Sequence, residues 1–327
     1  MRVVVASAPG GPEVLTFEDR QDPVPGPDEL LVEVWATAVN RADTLQRAGT
    51  YSLPPGSTDV LGLELAGRVV AVGAEVTDWT PGDRVCAVMP GGGHAELATV
   101  PARLAMRIPD AMSYAQAAAV PEVFLTAYDN VVRRGGCGEG DVLLVHGGAS
   151  GVGTAAIQLA RERGCIVFVT CGSPAKIDAC RALGAAVGID YHREDFVARV
   201  HEETGGRGVD VVLDHIGGPY LARDLDCLAM DGRLVFIGTM DGAKAQVDIQ
   251  ALMSKRAWVT GAKLRPRTID EKADLVEALR RDVWPALASG TISPVVDRTL
   301  PWTRVAEAHR VMEAGEHVGK LVLSVRE

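Results

Sequence analysis

The stretch Asp141–Arg161, DVLLVHGGASGVGTAAIQLAR, constrains the fold more than any other, because an unbroken apolar strand runs straight into a glycine turn and then a helix. Val142 to Val145 are apolar without alternation, as expected of a central parallel strand covered on both faces. Gly151-Val152-Gly153-Thr154-Ala155-Ala156 reads G-x-G-x-x-A. In that pattern the first glycine permits the tight turn, the second lets backbone approach a pyrophosphate, and the alanine packs helix on strand. Gly148 and Ser150 belong to the same phosphate turn. The residues from Ala155 to Arg163 are helical in pattern, which sets the pyrophosphate at a helix N-terminus among N–H groups and a favourable dipole. A second strand, Cys165 to Thr170, follows at βαβ spacing, so the whole unit reads as a dinucleotide site.

The end of that second strand speaks to which dinucleotide. NAD sites usually carry Asp or Glu there, about 20 residues beyond the glycines, to hold the adenosine ribose. Here Val169-Thr170-Cys171-Gly172-Ser173 ends neutral, and Lys176 follows in the first turn of the next helix. A 2′-phosphate would meet a hydroxyl from Ser173 and a positive charge from Lys176, which favours NADPH over NADH. Tyr191, just after a third strand at Val187–Asp190, is positioned to close the pocket. The plain alternative for Lys176 is a solvated helix residue.

At 327 residues and 47% hydrophobic content, the chain has core enough for two domains. A net charge of −10 and the absence of a basic stripe argue against nucleic acid or an anionic membrane as the main partner. The opening MRVVVASAPGGPEVL has no signal-peptide pattern, and no apolar run reaches membrane-spanning length. Cys86, Cys137, Cys165, Cys171, Cys180 and Cys227 form no C-x-x-C pair and sit in or beside apolar segments, reading as reduced thiols of a cytoplasmic enzyme. The seven histidines make no triad or metal pattern.

Short alternating segments at Val3–Ala6, Glu29–Ala38, Ala66–Val72 and Arg84–Val88, parted by Pro and Gly turns, predict a β-rich module. From Tyr114 a helical stretch leads into alternating strands and helices, with strands near 142–146, 165–170, 186–189, 210–213, 233–237 and 257–261. Six such strands predict a doubly wound parallel sheet. A helix over Glu271–Ser289, a strand at Val295–Thr299, a helix over Val305–Ala314 and a strand at Lys320–Val325 follow, and this tail is expected to rejoin the first module. The fold class is therefore α/β, with boundaries expected at 1–122, 123–264 and 265–327.

The blocks PGPDELLVEVWATAVNRAD, GLELAGRVVAVG, PGDRV, AAAVPEVFLTAY, HGGASGVGTAAIQLAR and GKLVL, spread over nearly the whole chain, resemble the medium-chain dehydrogenase/reductase superfamily. Within it, AVNRADTLQRAGTY and MPGGGHAELATVP are most similar to zeta-crystallin-like quinone oxidoreductases, in the subgroup induced by a tumour-suppressor protein in animals and its bacterial relatives. The resemblance implies a GroES-like catalytic domain, a Rossmann domain that binds NADPH, a homodimer and a small quinone as hydride acceptor. Its zinc-dependent members need Cys or His where this chain has Asn40, Leu63 and Glu122, and the four-cysteine structural lobe is missing, so no metal is expected.

A quinone spreads the incoming negative charge over its ring, so it needs positioning more than a Lewis acid. By resemblance, Asn40, Asp43, Gln46 and Tyr51 face nicotinamide and substrate, with Tyr51 bonding a quinone oxygen and helping deliver the proton. Local helix capping competes as the role of Asn40 and Asp43. The resemblance also assigns Thr126, the strand end Phe236-Ile237-Gly238, Arg265 and Lys320 to the cofactor, the plain alternatives being an interior helix hydroxyl bonded to its own backbone for Thr126 and surface cations for Arg265 and Lys320. Two other readings keep the same residues: an enone or enal reductase acting on an activated C=C bond, and a non-catalytic NADPH-binding protein. The homodimer is expected to pair through Val235–Val247.

Overall fold

The computed structural model describes residues 1–51, 53 and 57–326. Among the described residues fifteen strands follow in chain order. The first seven are β1 (Arg2–Ala6), β2 (Leu15–Asp19), β3 (Glu29–Val39), β4 (Glu64–Val72), β5 (Arg84–Val88), β6 (Leu97–Pro101) and β7 (Ala105–Arg107). Then come β8 (Val142–His146), β9 (Ile166–Cys171), β10 (Val187–Asp190), β11 (Val209–Asp214), β12 (Leu228–Phe236) and β13 (Trp258–Gly261), and finally β14 (Val296–Pro301) and β15 (Lys320–Ser324). The chain divides into two compact units, one of Met1–Leu125 with Leu264–Glu327, the other of Thr126–Lys263.

In the first unit the strand order is β14-β15-β3-β4-β5-β7, with β6 also on β3, and β1 and β2 make a separate hairpin. Strand β3 is the spine, long enough at 11 residues to pair with β4 from Leu30 to Thr37, with β6 from Glu29 to Glu33 and with β15 from Ala36 to Val39. Its alternate residues Leu30, Val32 and Val34 are buried with Leu65, Val69, Val85 and Val100, the period-two pattern of a sheet with one face on a core. The tail rejoins this unit, because β15 pairs antiparallel with β3 from Leu321↔Val39 to Ser324↔Ala36.

The second unit is a wholly parallel sheet of order β10-β9-β8-β11-β12-β13. Counted from β8, that is 3-2-1-4-5-6, whose order reverses between β8 and β11. All five residues of β8 are buried.

Three sequence expectations need correction. The β-rich module also contains β2, β6 and β7, short or half-exposed strands whose alternation is too weak to read. The helix expected over Glu271–Ser289 is two, Ile269–Asp282 and Trp284–Ser289, because Pro285 has no N–H to continue the ladder and its ring clashes with the preceding turn. Val235 does not lie at a sheet edge, since it pairs with Leu213 on one side and Thr260 on the other, and the exposed edge strand is β13.

Candidate active site

The glycine turn is built by sterics. Strand β8 ends at His146, and Gly147 takes φ +64°, a left-handed conformation that favours glycine. A Cβ on Gly153 would stand 2.5 Å from both the Gly147 and Gly148 carbonyl oxygens, which no side chain survives without moving backbone. Ser150 caps the helix Gly151–Glu162, its Oγ accepting from Gly153 N at 3.0 Å. The first N–H groups of a helix have no acceptor inside it. With Gly153 capped, those of Gly151 and Val152 are left to a ligand, and the Ser150 hydroxyl still has its proton to donate.

Beside this turn, Ser173 caps the helix Pro174–Ala182 by accepting from Lys176 N, and Lys176 is half-buried in its first turn. A Cβ on Gly172 would come 2.5 Å from the Tyr191 hydroxyl, so Tyr191 stands against the end of β9. Ser173, Lys176 and Tyr191 therefore gather around Gly172, and the carboxylate usual in NAD sites is missing there. Across the switch point, Ile237 N donates to Asp214 O at 2.7 Å, and Gly238 lies against His215, which ties the ends of β11 and β12 together. Thr126 is half-buried, and its carbonyl accepts from Asn130 Nδ2 at 2.8 Å.

Below the turn lies a network the sequence reading passed over. His146 Nε2 meets Asp224 Oδ1 at 2.8 Å, its Nδ1 meets Thr170 Oγ1 at 3.1 Å, and Gly147 N donates to that same Oγ1. Burial holds the imidazole neutral, with its pKa lowered to about 4, and raises the Asp224 carboxyl to about 7. Residues distant in sequence thus brace the entrance of the turn.

In the first unit the candidates Asn40 and Asp43 are engaged by protein. Asn40 Nδ2 donates to Glu64 Oε1 at 2.9 Å, and its Oδ1 accepts from Lys320 Nζ at 2.6 Å. Asp43 reaches back to accept from Asn40 N at 2.8 Å and also accepts from Gly62 N at 3.1 Å. Capping and loop anchoring are their observed roles. Burial raises the Asp43 carboxyl to about 6.

Lys320 departs from its expected cofactor role. It is 3% exposed, and its three protons have protein acceptors: Val39 O at 3.0 Å, Asn40 Oδ1, and Glu64 Oε1 at 2.8 Å. An ammonium group has only three donors, so none is left for a phosphate. Glu64, fully buried, accepts from Glu122 N with its other oxygen at 2.9 Å. The Glu122 carboxyl is pushed up to about 8, first by burial and then by Glu64 beside it. Thr37 Oγ1 donates to Glu64 O at 2.6 Å, so His94 Nδ1, 3.0 Å away, must be the donor to Thr37. That leaves His94 Nε2 as a buried acceptor without a partner among the described residues.

Gln46, Tyr51 and Arg265 form a second group. Arg265 donates from Nη2 to Gln46 Oε1 at 2.8 Å and from Nε to Pro90 O at 2.9 Å, and its guanidinium lies 5.1 Å from the Tyr51 ring centre. Lys272 Nζ, buried as well, donates to Arg265 O at 2.8 Å. Arg265 Nη1 is buried without a partner among the described residues, a donor still available to a ligand. Tyr51 is half-buried, which pushes its hydroxyl above the usual phenol range. Glu64, Glu122, Lys272 and His94 were not foreseen; the only signal was their position in or beside the segments that carry the resemblance.

A catalytic zinc does not fit. Leu63 offers no donor, the Asn40 amide is engaged, and the Lys320 ammonium already stands on Glu64. Among the described residues no group of three His, Cys, Asp or Glu is arranged to hold a metal.

Two family models match the chain, the zinc-binding dehydrogenase model over residues 151–280 and the alcohol dehydrogenase GroES-like domain over residues 26–110. The quinone oxidoreductase of Lama guanicoe is 30% identical over 332 residues, covering 100% of this chain and 98% of that protein. A mycocerosic acid synthase-like polyketide synthase of Mycobacterium tuberculosis is 34% identical over 97% of this chain, which spans only 15% of its length. Among solved structures, Escherichia coli quinone oxidoreductase complexed with NADPH superimposes with a TM-score of 0.90 at 32% identity, covering 99% of this chain and 100% of that one. The CurK enoyl reductase superimposes with a TM-score of 0.88 at 28% identity, covering 99% and 98%. By fold, by sequence and by residues that do not suit zinc at the ligand positions, the chain belongs to the medium-chain dehydrogenase/reductase family of oxidoreductases, among its quinone oxidoreductase-like members.

Proposed function

We propose that the protein is an NADPH-dependent quinone oxidoreductase that works without a metal. The observation that carries this reading is the end of β9, where Ser173 and Lys176 begin the next helix, Tyr191 stands against Gly172, and the strand itself ends without a carboxylate. The relatives named quinone oxidoreductase, one of them complexed with NADPH, support it. Bound NADPH supplies a hydride. The N–H groups of Gly151 and Val152 hold the pyrophosphate and Ser173 and Lys176 the 2′-phosphate, while in the other unit Arg265 Nη1 keeps a spare donor for a ligand oxygen. Thr126 and the Phe236–Gly238 strand end line the nicotinamide half.

The proton that must join the hydride comes from Tyr51 or from Glu122, a half-buried residue whose carboxyl is raised to about 8 by desolvation and by Glu64 beside it. Asn40 and Asp43 act indirectly by holding the loops that present these groups. The assembly is a homodimer joined along β13, whose Trp258 is 71% exposed on the open sheet edge. The reading is tested by following NADPH and NADH oxidation at pH 7 with 1,4-benzoquinone and with cyclohexenone. Fast benzoquinone turnover preferring NADPH is expected. Turnover of the enone alone selects the second reading, an enone reductase, which the likeness to an enoyl reductase favours. Tight NADPH binding with neither acceptor consumed selects a non-catalytic role.

A further inference from the structure

The second unit contains a sulfur pair that none of the chemistry above uses. Cys137 Sγ and Cys165 Sγ lie 2.7 Å apart, well inside an ordinary contact between two thiols and not far beyond a sulfur–sulfur bond of about 2.05 Å. We propose that Cys137 and Cys165 are a dithiol modification site, which peroxide closes into a disulfide within this unit.

The two thiols are unequal. Cys137 donates its S–H to Cys165, which itself donates to Gly138 O at 3.2 Å. Accepting that bond lowers the Cys165 thiol, helped by the charges of Arg163 and Arg233, while Cys137 is raised. Asp141 opposes the effect on Cys165. Cys165 is also the more exposed, at 8% against 3%. Cys165 is therefore the attacking sulfur. Its thiolate displaces hydroxide from hydrogen peroxide to give a sulfenic acid, and Cys137 then attacks that sulfur, forming the S–S bond and releasing water. Two thiols lose two electrons and two protons, and one peroxide becomes two waters.

The backbone can follow the sulfurs. Cys137 sits in the run Gly135-Gly136-Cys137-Gly138-Glu139-Gly140. Gly138 and Gly140 have nothing within 4 Å of where a Cβ would stand, and Gly136 has only an Arg233 nitrogen at 3.6 Å, so the space beside these three residues is open, while the backbone bonds of Cys137 N to Val131 O and Gly140 N to Gly164 O set how far the turn can follow. The other close pair, Cys171 and Cys180, makes an ordinary 3.7 Å contact, and Cys180 lies under Gly148, 3.3 Å from where its Cβ would stand. It is an internal control, because closing it would have to disturb the glycine turn. The Cys137–Cys165 ring spans 28 residues and encloses β8, that turn and the helix after it, at the edge of the sheet away from the strand ends that carry the turn.

The test is thiol titration in denaturant with peptide mapping of the full-length protein, before and after hydrogen peroxide. Six thiols should fall by two, to four, with one linked peptide pair containing Cys137 and Cys165 that dithiothreitol releases. The oxidised protein should melt about 5–10 °C higher, since the ring restrains the unfolded chain. Cys165→Ser should abolish the linked pair and the gain in melting temperature while the reduced variant keeps wild-type turnover. Six thiols surviving peroxide, a linked pair at Cys171–Cys180 instead, or Cys165 passing to sulfinic acid with Cys137 still free would each overturn the proposal.

Discussion

The glycine turn and the Lys320 cluster are both polar sites with no slack, yet they are assembled in opposite ways. In the turn, cap and capped residue are three positions apart, Ser150 and Gly153, and backbone supplies the donors. In the cluster, Asn40 bonds Glu64 24 residues on and Lys320 280 residues on, and side chains supply every charge. A local site of this kind tolerates changes elsewhere but no side chain where glycine stands. A long-range site depends on complete pairing, because one missing partner strands a buried charge.

The sharpest way to break that contrast is Lys320→Met. It leaves Glu64 buried without its cation and should cost about 3–5 kcal/mol in denaturant unfolding. Adding Glu64→Leu should restore much of the loss, and a double variant as unstable as the single one would show that packing, not charge, governs the cluster. Gly153→Ala comes next, at about 1–3 kcal/mol, because the new methyl meets two carbonyl oxygens. It should abolish NADPH binding, measured by fluorescence titration, whereas Lys320→Met should weaken binding little where the protein remains folded.

Lys176→Ala should raise the NADPH Kd by roughly 5–30-fold, or about 1–2 kcal/mol, leave NADH unchanged and preserve stability. Equal losses with both cofactors would remove the phosphate assignment. Glu122→Gln reads the electrostatics directly. The folded-state pKa of Glu122 lies near 8, above the value of 4.5 for an unburied glutamate, so the stability tied to its proton is full below about 4.5 and is lost as pH rises through about 8. The variant should therefore unfold with a flatter pH dependence between 5 and 8. If Glu122 supplies the reaction's proton, wild-type kcat should fall as pH rises through about 8, and the Gln variant should lose most turnover together with that pH dependence.

The same contrast explains what could be read from sequence. The six parallel strands, the turn and the neutral end of β9 were legible because short-range spacing carries them. Arg265 was placed in a binding role and does keep one spare donor, but its links to Gln46 and Tyr51 join segments more than 200 residues apart and had no local sign. Lys320 was misread for the same reason. A lysine beside a glycine near a strand start looks like a surface cation or phosphate ligand until β15 pairs with β3 and points it at Val39, Asn40 and Glu64. The brace of His146, Thr170 and Asp224 was invisible because its third member lies 78 residues beyond the first.

Lys320 also orders events on the ribosome. At roughly 5–20 residues per second, the 280 residues between Asn40 and Lys320 take about 15–60 seconds to translate. Closing the nascent β3–β4 pair over Glu64 in that interval would bury a carboxyl that has no ammonium partner, or take it in protonated. The unit that ends at Lys263 meanwhile leaves the exit tunnel with all six strands in hand. The half of the protein that is synthesised first is the half whose buried charge is paired last.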